Sequence, residues 1–197
     1  MRKLTVDDIV DHRAYERERD DFRRHIIDLK RIRRVAIGPI MTIVFENTET
    51  MRWQVQEMAR VERMLRDEQI QHEVDTYNEI IPDAGQLSGT LLLELTSEAQ
   101  LREWLPRLVG IELEIGLAFP DGSVVLGKPS DEDEHRLTRP DTTAAVHFLR
   151  FELSPTQVAE FETGPVKLVS LHHEYPQEVV LEPATRLSLA ADLRDVT

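Results

Sequence analysis

Ile40-Met-Thr-Ile-Val-Phe45, followed by Met51-Arg-Trp-Gln-Val-Gln-Glu-Met58, decides how this chain folds. The first run is almost wholly apolar, so it reads as a strand in the middle of a sheet. The second carries Met51, Val55 and Met58 at helical spacing and reads as a helix packed against that sheet. Gln54, Gln56 and Glu57 then lie close to the core. Buried amides and carboxylates cost free energy unless they find partners. This run is therefore the first place to look for a built polar site.

Working outward, Thr5-Val-Asp-Asp8 is a capped helix start. A longer helix is expected from about His12 to Arg33. Its apolar stripe reads Tyr15, Phe22, Ile26 and Leu29, and His12 and Arg19 share that stripe. The basic cluster Lys30-Arg-Ile-Arg-Arg34 reads as a solvated helix end whose cations complement the macrodipole; an anion or acidic partner is its sharper reading. Arg34 to Glu46 is extended, with Gly38-Pro39 marking a bulge or an edge. The helix that starts near Thr50 should bury Met51, Val55, Met58, Val61 and Leu65 and continue to about Tyr77. Asn78 to Gly89 reads as a loop and Thr90 to Leu95 as a strand.

Ser97-Glu-Ala-Gln100 is a capping box for a helix carrying Leu101, Trp104, Leu105 and Leu108. Ile111 to Ala118 alternates, with Glu112 and Glu114 on the solvent side. Pro120-Asp-Gly122 turns the chain back into Val124-Val-Leu126. Residues 128–141 form a mobile acidic connection around Ser130-Asp-Glu-Asp-Glu-His135. A calcium loop there lacks the EF-hand spacing and its glycine. Beyond it come a strand over Thr143 to Leu153 and a helix opened by Ser154-Pro-Thr-Gln157. Two short strands flank His172-His-Glu-Tyr-Pro176, and a last helix runs from Pro183 through Leu193. The order implies one α+β domain over residues 1–197, with a mixed, largely antiparallel sheet packed by several helices.

Composition bounds the chemistry. The absence of Cys excludes disulfides, thiolate catalysis, Cys-ligated iron–sulfur clusters and Cys-type zinc sites, and it suits the cytoplasm. A formal net charge of -13 repels nucleic acid and anionic lipid. No run of membrane-spanning length is present. Neither a Gly-rich phosphate loop, a nucleophile elbow nor a zincin motif occurs.

Three constellations remain. His12, Tyr15 and Arg19 share a helical stripe, and an Arg on an apolar face must be paired or reach solvent. Gln54 and Glu57 are its obvious acceptors, either as an enzyme site with Glu57 as base and Arg19 as anion clamp, or as a structural network between two helices. His172, His173 and Tyr175 form a secondary candidate. Adjacent His in a strand point to opposite faces, so a shared metal needs a turn, which Pro176 permits. Glu68 and His72 lie one helical turn apart but lack the further ligands of a di-iron site. No cofactor and no metal are therefore expected.

Lys3-Leu-Thr-Val-Asp-Asp-Ile9, Tyr15-Glu-Arg-Glu-Arg19, Val44-Phe-Glu-Asn47, Gln54-Val-Gln-Glu-Met58, Tyr77-Asn78, and Leu92-Leu-Glu-Leu95 with Leu101-Arg-Glu-Trp-Leu105 resemble a bacterial family. It is domain of unknown function number 3501. The resemblance covers nearly the whole chain, most specifically its first two thirds. It implies a bacterial cytoplasmic protein encoded beside rubrerythrin-like and iron–sulfur oxidoreductase proteins. A redox protein partner and an accessory role in redox or peroxide metabolism are thus implied, while no catalytic residues carry over. The alternative is a small-molecule enzyme built on Arg19, Gln54 and Glu57. A deep pocket lined by those three would favour the enzyme. A solid core with an apolar surface patch would favour the accessory protein.

Overall fold

The computed structural model describes residues 1–129 and 141–194. After a 3₁₀ turn at Val6–Asp8, helix α1 spans His12–Arg33. Asp11 caps it by accepting from the backbone N–H groups of Arg13 and Ala14. Strands β1 (Arg34–Ala36) and β2 (Met41–Glu46) form an antiparallel hairpin, so Gly38-Pro39 lies in a turn and not in a bulge of one strand. Gly38 has φ +69, and a Cβ there would fall 2.3 Å from the Tyr175 hydroxyl oxygen.

Helix α2 (Thr48–Val61) starts at a reciprocal Asn47–Thr50 cap. It does not continue to Tyr77. Arg63 adopts a left-handed φ of 52°, and the Met64 N–H returns to the Ala59 carbonyl at 2.9 Å. This closes the helix in the manner usually entrusted to glycine. A separate helix α3 follows at Asp67–Asn78. The buried face of α2 is consequently Met51, Val55, Gln56 and Ala59, while Val61 and Leu65 are exposed. Strand β3 (Gln86–Leu93) begins before Gly89. That glycine is no breaker; a Cβ there would lie 2.8 Å from the Ile43 side chain on the neighbouring strand.

Ser97 and Gln100 form the expected capping box of α4 (Glu98–Arg107). Ile111–Leu113 is a 3₁₀ turn, not the start of a strand, so Glu112 is buried and Leu113 exposed, the reverse of the alternation. Strands β4 (Ile115–Ala118), β5 (Val124–Leu126), β6 (Lys128–Pro129) and β7 (Val146–Glu152) follow, with the expected turn at Gly122, φ +87. Lys128 and Pro129, read as connection, pair with Arg150 and Leu149. The remaining acidic stretch, 130–140, with its calcium alternative, lies outside the described residues. Helix α5 (Pro155–Thr163), strands β8 (Lys167–Ser170) and β9 (Gln177–Val180), and helix α6 (Pro183–Arg194) are the last elements of the described residues.

The strands form two sheets, in the orders β1-β2-β3-β7-β6 and β5-β4-β8-β9. Every pairing among the described residues is antiparallel. The fold is α+β, as expected. All six residues of β2 are buried, which accounts for the near-absence of alternation in its sequence. The main core joins inner residues of both sheets, such as Ile43, Leu91, Phe151, Leu117 and Leu168, to Leu189 and Leu193 of α6. A second cluster unites the N-terminal segment with α2 and α3 through Leu4, Ile9, Met51, Val55 and Val74.

The basic cluster at the end of α1 is not uniformly solvated. Arg33 is 1% exposed. It donates to the carbonyls of Phe45 (2.8 Å) and Glu46 (3.1 Å), to Ser188 Oγ (3.0 Å) and to the Asp192 carboxylate. It thereby ties α1 to β2 and α6, and its buried charge is offset by hydrogen bonds to several acceptors.

Candidate functional site

The seam between α1 and α2 brings most of the candidate polar residues together. Arg19 grips Glu57 with both arms, Nε to Oε1 at 2.7 Å and Nη2 to Oε2 at 2.9 Å. The Tyr15 hydroxyl donates to Glu57 Oε1 at 2.6 Å. Tyr15 is fully buried, while the Arg19 and Glu57 side chains keep 25% and 20% exposure. Trp53 closes the seam from above, edge-on to Tyr15 and Phe22, and Arg52 lies over the Phe22 ring.

The electrostatics follow from these contacts. The Arg19 hydrogen bond holds the Glu57 carboxyl below its usual range, against the effect of burial. Burial, and then the bond to Glu57, push the Tyr15 hydroxyl up. Glu57 hydrogen bonding raises Arg19. A general base works best with a pKa near the operating pH. Glu57 is shifted away from that value, and both its oxygens are occupied.

The other candidates separate from this cluster. Gln56 is buried and turned to the segment before α1, accepting from Val10 N–H at 3.0 Å and donating to Val10 O at 2.9 Å. Its amide completes the backbone hydrogen bonding of that segment as a neighbouring strand would. Gln54 faces Tyr77, whose hydroxyl is raised by burial and lowered by the Gln54 hydrogen bond. His12 is exposed at the first position of α1. The hollow bordered by His12, Tyr15 and Gln56 holds only about 20 Å³. It is not lined by Arg19, Gln54 or Glu57.

The secondary candidates lie after β8. His172 and His173 fall in a turn, not a strand, and their rings stack with centroids 4.7 Å apart. His172 is buried. Its Nε2 meets Val109 O at 3.2 Å and its Nδ1 accepts from Glu174 N–H at 3.3 Å, which fits the Nε2–H tautomer. His173 is exposed. Glu174 turns to Arg107, whose hydrogen bond lowers its pKa. Tyr175 is buried; it donates to Ile37 O at 2.9 Å and accepts from Ile40 N–H at 3.2 Å. It fastens the β8–β9 turn to the β1–β2 turn over Gly38, with Trp104 edge-on to its ring. Among the described residues no three His, Asp or Glu side chains converge as a metal site.

Two features were not singled out from the sequence. A cleft of about 790 Å³ lies between the end of α3 and strands β3, β6 and β7. Its lining includes Ile80, Ser88, Lys128, Phe148 and Arg150. The second feature is the outer face of the four-stranded sheet. The register places Leu126, Gly116, Val169 and Glu178 in one row and Val124, Ala118, Lys167 and Val180 in the next. Val124, Leu126 and Val180 are 41%, 43% and 49% exposed, and Leu171 beyond the end of β8 is 53% exposed. A Cβ on Gly116 would lie 2.7 Å from Val124 Cγ1, so Val124 and Leu126 lean over the bare glycine and smooth the face. Its two charges, Lys167 and Glu178, pair with each other at 2.8 Å. An alternating hydrophobic–polar strand would have left more charges here; exposed apolar groups gathered on one face, with their charges paired, suit a contact surface.

Among the described residues no helix is long and apolar enough to cross a membrane. No curated protein is detectably similar in sequence. A crystal structure of a novel protein of unknown function from Burkholderia pseudomallei is 35% identical, with a TM-score of 0.89, over 98% of this chain and 100% of that one. The family model described as "Protein of unknown function (DUF3501)" matches residues 3–193, and the chain belongs to that family.

Proposed function

We propose that this chain is a non-catalytic accessory protein, a single α+β domain that docks a partner protein through the outer face of its four-stranded sheet. The observation that carries this reading is the apolar face of Val124, Leu126, Leu171 and Val180 with its internally neutralised Lys167–Glu178 pair. It stands out on a chain of formal net charge -13. A neutral apolar face favours a protein surface, and the overall charge disfavours nucleic acid. The resemblance suggests a cytoplasmic redox protein, rubrerythrin-like or an iron–sulfur oxidoreductase, as the partner. The enzyme alternative at Arg19, Gln54 and Glu57 has less support, since Glu57 is saturated and Gln54 turns elsewhere.

The test is parallel capture from a lysate of the source bacterium with the wild-type chain and with Leu126→Glu/Val180→Glu. A purified prey that binds the wild type and not the double variant supports the reading, and bound iron in that prey supports the redox assignment. Prey that bind both forms equally would remove the sheet face from consideration.

A further inference from the structure

We propose that the cleft between the end of α3 and strands β3, β6 and β7 binds a small organic carboxylate, anchored by Arg150. The site is distinct from the docking face and does not rest on it. Its volume of about 790 Å³ is that of a small-molecule pocket. The β6–β7 register sets Lys128 directly opposite Arg150. Like charges directly opposed across a sheet destabilise it. Lys128 is answered by Glu152 at 2.6 Å. Arg150 is half-buried, and among the described residues it has no carboxylate partner within ion-pair distance. Its guanidinium donates to the Glu79 carbonyl at the end of α3.

The contrast with Arg19 and Arg33 is informative, because each of those meets a carboxylate. The other charges lining the cleft are Lys3, Asp75, Glu152 and the exposed Glu79. Lys3 Nζ donates to the carbonyls of Asn78 (3.1 Å) and Ile81 (2.5 Å), and Asp75 accepts from Gln71 Nε2 at 2.7 Å. Ile80, Pro129 and Phe148 supply apolar surface beside the guanidinium. A planar guanidinium presents paired N–H groups matched to a carboxylate. The chemistry that fits is a carboxylate at Arg150, carried on an apolar body.

The experiment titrates the ¹⁵N-labelled full chain with benzoate and, separately, with its neutral isostere benzamide. Benzoate is expected to shift the Arg150 Nε–H signal and the backbone amides of Ile80 and Phe148; benzamide is expected to leave them in place. Arg150→Met should weaken benzoate by about tenfold or more. The wild-type comparison of the two probes stands even if Arg150→Met loosens the end of α3. Equal responses to benzoate and benzamide would overturn the proposal. So would a benzoate response that survives in a folded Arg150→Met variant, or no response at the cleft.

Discussion

The α1–α2 seam and the outer face of the four-stranded sheet are opposites. In the seam, Tyr15, Arg19 and Glu57 satisfy one another, Gln56 completes the Val10 backbone, and aromatic rings close over the top. On the sheet, Val124, Leu126, Leu171 and Val180 remain half in water. The seam holds the polar residues that attract attention in the sequence, yet it encloses almost no space. The sheet face carries no chemical motif, yet its apolar surface is incomplete. Polar groups that have found partners stabilise a fold; apolar groups that have not are available to another molecule.

This contrast yields predictions of decreasing size. The largest effect belongs to the far end of the α1 stripe. Asp192→Ala should cost about 3–5 kcal/mol in urea unfolding, because it leaves the Arg33 charge buried beside acceptors too weak to replace a carboxylate. A cost below about 1 kcal/mol would mean that Arg33 is hydrated in solution. In the seam, Glu57→Ala should cost about 2 kcal/mol, less than a fully buried pair because both partners keep some exposure. Tyr15→Phe removes one charge-assisted hydrogen bond and should cost about 1–2 kcal/mol. If Glu57→Ala were neutral for stability while abolishing a function, the seam would be a working site and the contrast would fail.

Acid provides a finer probe. The folded-state pKa of Glu57 is depressed by Arg19, and that of Asp8 is held down to about 2, chiefly by Arg2. For groups depressed on folding, the stabilisation is fully present above the unfolded carboxylate pKa, roughly 4. It is lost as pH falls through the folded value. Stability should therefore decline from about pH 5 downward, and Glu57→Gln should flatten part of that slope. An unchanged slope in the variant would show that Glu57 titrates alike in both states. The smallest stability effect is expected at Leu126→Glu/Val180→Glu, about 1 kcal/mol or less, because both side chains already face water.

Much of this arrangement was legible in sequence, and the gaps have physical causes. The α1 stripe correctly placed Arg19 against the next helix, because an Arg between Tyr15 and Phe22 must find a partner. The same stripe, followed through Ile26 and Leu29, reaches Arg33 at the next helical step. The basic run Lys30–Arg34 hid it, because four cations together read as a solvated helix end. The stop of α2 was invisible, since Arg63 performs a glycine's left-handed role without a glycine's signal. Glu112 was turned outward by a strand periodicity that a 3₁₀ turn does not obey. The sheet face emerges only from register: Leu126 and Val169 lie far apart in sequence and share a row through β4. The cleft has the same origin, because Lys128 and Arg150 meet only once β6 pairs with β7.

The most direct measurement is calorimetric titration of the captured, purified partner against three forms of the full chain: wild type, Glu57→Gln and Leu126→Glu/Val180→Glu. Binding through the sheet face predicts wild-type affinity for Glu57→Gln and a loss of at least about a hundredfold for the sheet variant, as expected when charges enter the apolar core of an interface. Wild-type affinity in the sheet variant, with binding lost in Glu57→Gln, would contradict it and return the function to the seam.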